Sequence, residues 1–263
     1  MKPSTEQTES GGLASFACEL ADLARPMAME YFRRNIPVEQ KADLSPVTHA
    51  DRSIEASMRA LIEKTYPGHG IFGEEHGASH LDSKHVWVLD PIDGTKSFVT
   101  GMPIFGTLIA LLEDGRPVLG VISIPPTGEL WIGRDGQATQ FNRVACHTST
   151  CTGLADALAY TTSPDNFDAA GLKVFDRVSS LSAMRRYGGD CYCYGLLASG
   201  HIDVVMEMNL QPYDFMALVP VIEGAGGVIT DWQGQRLHLG SDGYVVATST
   251  PELHAEVLET IGA

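Results

Sequence analysis

The sequence predicts an α/β fold of two layered halves that meet near residues 140–150. Three observations carry this. The first quarter of the chain holds two stretches with apolar residues at three- and four-residue steps, the pattern of amphipathic helices. From Val86 the pattern changes to alternation or to continuous apolar runs, as in strands. From Leu158 onward, strand-like and helix-like segments alternate. With 44% hydrophobic residues in 263, the chain has ample apolar mass for a sizeable core, and disorder of the whole is excluded.

The elements follow in order. After the polar stretch Met1–Gly12, Leu13, Phe16, Ala17, Leu20, Leu23, Met27 and Tyr31 mark a helix that ends before Pro37. A second follows Thr48, with Ile54, Met58, Leu61 and Ile62 on one face and Pro67-Gly68 as its stop. Val86–Leu89, Phe105–Leu112, Val118–Ile124 and Leu130–Ile132 read as strands. Asp114-Gly115 predicts an antiparallel hairpin between the second and third of these. Next come strand Leu158–Thr161, helix Ala170–Ser182, a short apolar helix Tyr192–Ser199 closed by Gly200, and strand Ile202–Glu207. Helix Asp214–Ala225 ends at Gly226-Gly227, strands Val228–Trp232 and Tyr244–Thr248 follow, and Pro251 opens the last helix. The two halves are taken as residues 1–145 and 146–263.

Lys and Arg total 18 against 33 Asp and Glu, a formal net charge of −15 at pH 7. Such a surface argues against phosphate-backbone contacts and so against nucleic acid as a direct partner. It repels small phosphorylated ligands as well, unless cations intervene. Five cysteines (Cys18, Cys146, Cys151, Cys191 and Cys193) lack zinc-knuckle spacing and are read as reduced, structural thiols. No apolar run approaches the roughly 20 residues of a membrane helix, and Met1–Gly12 lacks the apolar core of a signal peptide. The expectation is a cytoplasmic protein with no membrane partner.

The most informative stretch is Gly73-Glu74-Glu75 followed by Asp90-Pro91-Ile92-Asp93-Gly94-Thr95. Asp90 ends an apolar strand, where a carboxylate gains nothing from burial unless something positive neutralises it. Asp93 returns to the same side, and Ile92 between them offers only its carbonyl. Two carboxylates, a carbonyl and room for water make the oxygen set a hard divalent cation wants. Gly94-Thr95 opens a helical turn whose unpaired N–H groups point at an anion. Asp214, at the start of a later apolar helix, reads alone as an N-cap, a role compatible with facing a cation.

These motifs, with Lys41, Asp43, Ser45-Pro46-Val47-Thr48 and Asp51 ahead of them and Tyr213-Asp214 and Gly226-Gly227 behind, resemble the signatures of the inositol monophosphatase superfamily, over about residues 40–232. The resemblance implies an α/β (α+β) fold layered α-β-α-β-α, of the inositol monophosphatase/fructose-1,6-bisphosphatase type. It implies a Mg²⁺-dependent phosphomonoesterase, usually a homodimer, with two or three Mg²⁺ per active site. By motif position, Glu74, Asp90, the carbonyl of Ile92, Asp93 and Asp214 would hold the metals. Asp43 and Thr95 would activate the attacking water, with Glu74 as the rival activator. The backbone N–H groups of Gly94 and Thr95 would hold the phosphate.

The block Arg185 to Gly200 with Ile202-Asp203-Val204-Val205 looks most like the histidinol-phosphate phosphatases of this superfamily. The resemblance places Gly189, Asp190, Glu207 and Asp214 against the substrate, with Asp190 and Glu207 at the leaving alcohol. Histidinol carries an ammonium and a protonatable imidazole, so two acids suit it better than they suit a neutral polyol. Asp190 read alone is a helix N-cap, and Glu207 a strand residue. Met206 and Met208-Asn209 depart from the usual pattern beside Glu207. The other readings are an inositol-1-phosphate or sugar-phosphate phosphatase, a nucleotide 3′-phosphatase, and a non-catalytic regulator that binds a phosphorylated ligand.

Overall fold

The computed structural model describes residues 5–34, 38–40 and 46–263, with side chains for 12–34 and 49–263. Asp43 and the other residues of 41–45 lie outside the described residues. Helix α1 (Thr5–Tyr31) is followed by the short strands β1 (Val38–Gln40) and β2 (Pro46–Thr48), then α2 (His49–Thr65). The first large sheet is built from β3 (Gly70–Gly73), β4 (Gly77–Ser79), β5 (His85–Asp93), β6 (Gly106–Glu113), β7 (Arg116–Ile124), β8 (Glu129–Arg134), β9 (Gln137–Phe141) and β10 (Val144–Ala145), with α3 (Thr95–Thr100) between β5 and β6. Its order is β10-β9-β8-β7-β6-β5-β3-β4, antiparallel except where β3 runs parallel to β5. The hairpin at Asp114-Gly115 joins β6 to β7 as expected.

The second sheet contains β11 (Leu158–Thr161), β12 (Met184–Tyr187), β13 (Val204–Glu207), β14 (Val228–Thr230) and β15 (Val245–Thr248), in the order β12-β11-β13-β15-β14. Helices α4 (Ala169–Ser180), α5 (Asp190–Ala198), α6 (Pro212–Phe215), α7 (Leu218–Gly224) and α8 (Pro251–Gly262) complete the chain. Among the described residues no helix is long and apolar enough to cross a membrane.

The alternation of side chains explains the layering. Trp87, Leu89, Ile109 and Leu111 pack against α1 and α2, while Val86, Val88, Leu108 and Ala110 join α5 and α7 on the opposite face. On the second sheet Val205, Val245 and Ala247 face that same middle layer, whereas Val204, Met206 and Val246 pack on α4 and α8. The result is α-β-α-β-α. Both faces of each sheet are covered, which is why these strands read as continuous apolar runs.

Two expectations are corrected. The helix expected over Asp214–Ala225 is two, α6 and α7, because Pro220 has no N–H to give Met216 and its ring crowds that carbonyl. The short strands β1, β2, β3, β4, β9, β10 and β12 carry no strand signal in the sequence. They are brief, glycine-rich, polar or exposed at an edge, and so lack the apolar alternation that marks a strand.

Candidate active site

Asp90 and Asp93 stand three residues apart, a spacing that sends side chains to opposite faces of a regular strand. The register between β5 and β6 shifts here. Asp90 pairs with Leu108 and Asp93 with Gly106, so β5 carries one extra residue. This bulge turns Asp93 to the same face as Asp90 and leaves Ile92 in the core beneath α1 and α2. Thr107 Oγ1 donates to the Pro91 carbonyl at 2.8 Å, and Ile92 N–H to Asp90 Oδ1 at 3.1 Å. The Ile92 carbonyl accepts a long side-chain contact, 3.4 Å, from Thr95 Oγ1.

Gly94 follows at φ 80°, the left-handed conformation that lets β5 break directly into α3. A Cβ there would also meet the Asp190 carboxyl at 2.7 Å, so the residue must be glycine twice over. Asp214 arrives from the second half. It is the third residue of α6, not the N-cap; Gln211 is the N-cap, and its N–H donates to Asp214 Oδ2 at 2.6 Å. The Tyr213 ring packs on Phe72 of β3 at 6.0 Å between centroids, which seats α6 against the first sheet.

The outcome is a cluster in which one ligand oxygen each from Asp90, Asp93 and Asp214 lie within 4.8 Å of one another. Burial, then the charges of Glu74, Asp93, Asp214 and Asp51, pushes the Asp90 carboxyl well above the usual carboxylate range. Asp214 is pushed well up in the same way, by burial and then by Asp93. Asp93 rises to about 7 through burial and the charge of Asp190, against the pull of the Cys191 N–H, which donates to its Oδ2 at 2.6 Å. Three carboxylates this close cannot all ionise unaided. The donor set is all oxygen and includes no imidazole or thiolate, which fits a hard divalent cation such as Mg²⁺.

Glu74 stands beside this cluster instead of within it. It opens the turn between β3 and β4, and its N–H donates to Leu89 O at 3.3 Å. Because β3 and β5 are parallel, both end at the same edge of the sheet, which brings Glu74 near Asp90. Glu55 of α2 supports that turn. It is fully buried, accepts from the N–H groups of Glu75 (2.7 Å) and His76 (3.1 Å), and pairs with Arg59 at 2.7 Å. Arg59 in turn donates to the Gly77 carbonyl. Sequence reasoning missed Glu55. It also gave no role to Asp51, a buried acid whose charge reaches Asp90. The available signal was two acids on the apolar stripe of α2, in line with Ile54, Met58 and Ile62.

The other expected residues gather across the cavity. Gly188 (φ 90°), Gly189 (φ 133°) and Asp190 (φ 45°) form a left-handed run into α5. Asp190 is the first residue of that helix and does not cap it; its carboxyl accepts from Ser97 Oγ at 2.5 Å. Glu207 ends β13 at 1% exposure and accepts from Thr161 Oγ1 (3.0 Å), Thr162 N–H (2.7 Å) and Thr162 Oγ1 (2.8 Å). Burial raises it to about 7 despite those bonds. Asp93, Asp190, Glu207 and Asp214 line one cavity. All five cysteines are free thiols, with Cys191 and Cys193 buried.

The model of the inositol monophosphatase family matches residues 12–263, and the chain belongs to that family. It is therefore a phosphatase of the class that acts on small phosphorylated substrates. Among its relatives, the bifunctional phosphatase IMPL2, chloroplastic, of Arabidopsis thaliana is 46% identical over 97% of this chain and 76% of its own length. The histidinol-phosphatase of Chlorobaculum parvum is 34% identical over 89% of this chain and 91% of its own. An inositol monophosphatase from Zymomonas mobilis superposes with a TM-score of 0.89 at 44% identity, over 99% of this chain and 100% of that one.

Proposed function

We propose that this phosphatase hydrolyses L-histidinol phosphate to L-histidinol and phosphate, in histidine biosynthesis, with Mg²⁺ as its cofactor. The observation that carries the reading is the pairing of Asp190 and Glu207, two acids outside the metal cluster, on the cavity that also holds Asp93 and Asp214. A leaving group bearing an ammonium both hydrogen-bonds to them and neutralises their charge; a neutral polyol can do only the first. The name of the Chlorobaculum relative supports the same substrate.

Asp90, Asp93, Asp214 and the Ile92 carbonyl would hold two or three Mg²⁺, with Glu74 reaching in from the β3–β4 turn. When bound, Mg²⁺ supplies neutralisation of the phosphate, an acidified attacking water and stabilisation of the departing alkoxide. The chain does the rest. The N–H groups of Gly94 and Thr95 bind phosphate oxygens at the start of α3. Asp43 with Thr95, or Glu74 in their place, takes the proton of the attacking water. Gly189 and Asp190 orient the leaving alcohol against Glu207. On this reading residues 1–145 hold most metal ligands, while 146–263 supply alcohol recognition and Asp214. The active form is a homodimer, which sedimentation would test.

The experiment is phosphate release from histidinol phosphate and inositol 1-phosphate side by side, with and without Mg²⁺. The expected result is Mg²⁺-dependent release that favours histidinol phosphate. A preference for the inositol ester would keep the metal site and discard the reading of Asp190 and Glu207. The resemblance to the Zymomonas mobilis protein makes that ester the second reading.

A further inference from the structure

Tyr194 sits one helical turn beyond Asp190 on α5, so the two side chains share a face of the helix. Its ring is 2% exposed and belongs to the middle-layer core, where phenylalanine would pack as well. Its hydroxyl is buried and, among the described residues, has no hydrogen-bond partner. Yet Tyr194 lines the same cavity as Asp93, Thr162, Asp190, Glu207 and Asp214. A buried hydroxyl left without a partner is costly, and native structures keep very few. The charges of Glu207, Asp93 and Asp214 reach it, but it bonds to none of them, and its residue forms part of the wall of the space a ligand would fill.

We propose that Tyr194 is a specificity-determining residue whose Oη–H donates a hydrogen bond to an uncharged acceptor atom on the leaving alcohol. This rests on the histidinol phosphate reading for the identity of that atom, the bare ring nitrogen of a neutral imidazole. The remaining inventory of the cavity favours the role. Among its buried side chains Tyr194 has a hydroxyl with no partner. The Thr162 hydroxyl goes to Glu207, and Asn166 is the other side-chain N–H or O–H donor on the cavity wall. Where they are ionised, Asp190 and Glu207 only accept hydrogen bonds, and so serve an ammonium or a ring N–H but not a bare nitrogen. A neutral imidazole presents one of each, and Tyr194 supplies a donor from the buried side of the cavity. The phenol stays protonated for that task, because burial and the charge of Glu207 both disfavour the phenolate.

The test is Tyr194→Phe, which keeps the ring and removes only the hydroxyl. Wild type and variant are assayed with histidinol phosphate and with phenyl phosphate, whose leaving group has no such acceptor. The ratio of kcat/KM between the two esters should fall about tenfold in the variant, carried by KM more than by kcat, as loss of one hydrogen bond implies. The loss should shrink below about pH 6.5, where the ring protonates and offers no bare nitrogen. Thermal melting of the metal-free variant should be unchanged or a few degrees higher, since an orphaned polar group has gone. An unchanged ester ratio overturns the proposal, as does a loss matched by a fall in Tm. If wild type instead prefers inositol 1-phosphate, the histidinol reading fails separately. The same KM comparison on that ester then decides Tyr194: a raised KM upholds its donor role, and an unchanged one ends it.

Discussion

The two ends of the cavity hold acids in different ways. At the β5 end, burial and the charges of neighbouring acids push Asp90, Asp93 and Asp214 up, and each accepts one backbone N–H, from Ile92, Cys191 and Gln211. At the β13 end, Glu207 has three donors of its own from Thr161 and Thr162, and Asp190 has Ser97. The first arrangement is unstable without a compact positive charge and so suits a dehydrated ion. The second gives Glu207, itself buried, three donors, and can wait for an organic ligand that comes and goes. One cavity thus separates a resident cofactor from a transient substrate by how tightly its acids are gathered, three within 4.8 Å at one end and a threonine-held glutamate at the other.

The sharpest way to break that comparison is Asp93→Asn. Turnover of any phosphate ester should fall about a thousandfold, because the lost charge acts on the transition state. Metal-free melting should hold or rise, since mutual repulsion is relieved; phosphate release and calorimetry in chelator read the two. A variant that keeps most of its activity ends the metal assignment. Asp190→Ala tests the other end. Its kcat/KM for histidinol phosphate should drop about thirtyfold, as for one charge-assisted hydrogen bond, and that for inositol 1-phosphate far less. Equal losses would show that Asp190 holds the loop without reading the ligand.

Glu55→Gln asks whether the metal end depends on support from α2. One of the two N–H groups of the Glu74 turn loses its acceptor, and Arg59 loses its charge partner. Half-saturation for Mg²⁺ should rise about tenfold, the scale seen for residues that orient metal ligands. Titration of activity with Mg²⁺ checks it. The last effect is on folding and depends on pH, leaving turnover aside. The folded-state pKa of Glu207, about 7, lies above its unfolded value of about 4.5, so its proton stabilises the fold at low pH. That contribution, at most about 3 kcal/mol, is lost as pH rises from 4.5 through 7. Denaturant melts of metal-free Glu207→Gln should lose this slope, and an unchanged slope would assign it to other groups.

These differences follow how much of the molecule was legible beforehand. Asp90, Ile92, Asp93 and Gly94 form one contiguous run whose bulge and turn are local chemistry, so the residues announced their arrangement. The layering was legible for the same reason: each long strand carries its two-faced apolar pattern within itself. Glu55 was not, because its partners lie 20 and 21 residues away and an i,i+4 pair with Arg59 looks like ordinary helix surface. Tyr194 was hidden in an apolar helix where an aromatic ring needs no explanation, and only its unpartnered hydroxyl gives it away. Short strands such as β3 and β12 owe their form to neighbours that a linear reading does not see. The split of α6 from α7, by contrast, was written plainly at Pro220.

The extra residue in β5 has a consequence for how this protein tolerates change. Faces of a strand alternate like a two-letter reading frame, and the bulge between Asp90 and Asp93 is a frameshift kept on purpose. A substitution there removes one group. A deletion of one residue would keep the second acid on the face of Asp90 but erase the bulge, and with it the Ile92 side chain in the apolar layer under α1 and α2 or the Pro91 carbonyl that Thr107 holds. An insertion without a second bulge would swing the second acid into that layer. Length between these two aspartates is therefore held more tightly than the identity of the residues that fill it, and variation within the family should respect spacing before it respects chemistry.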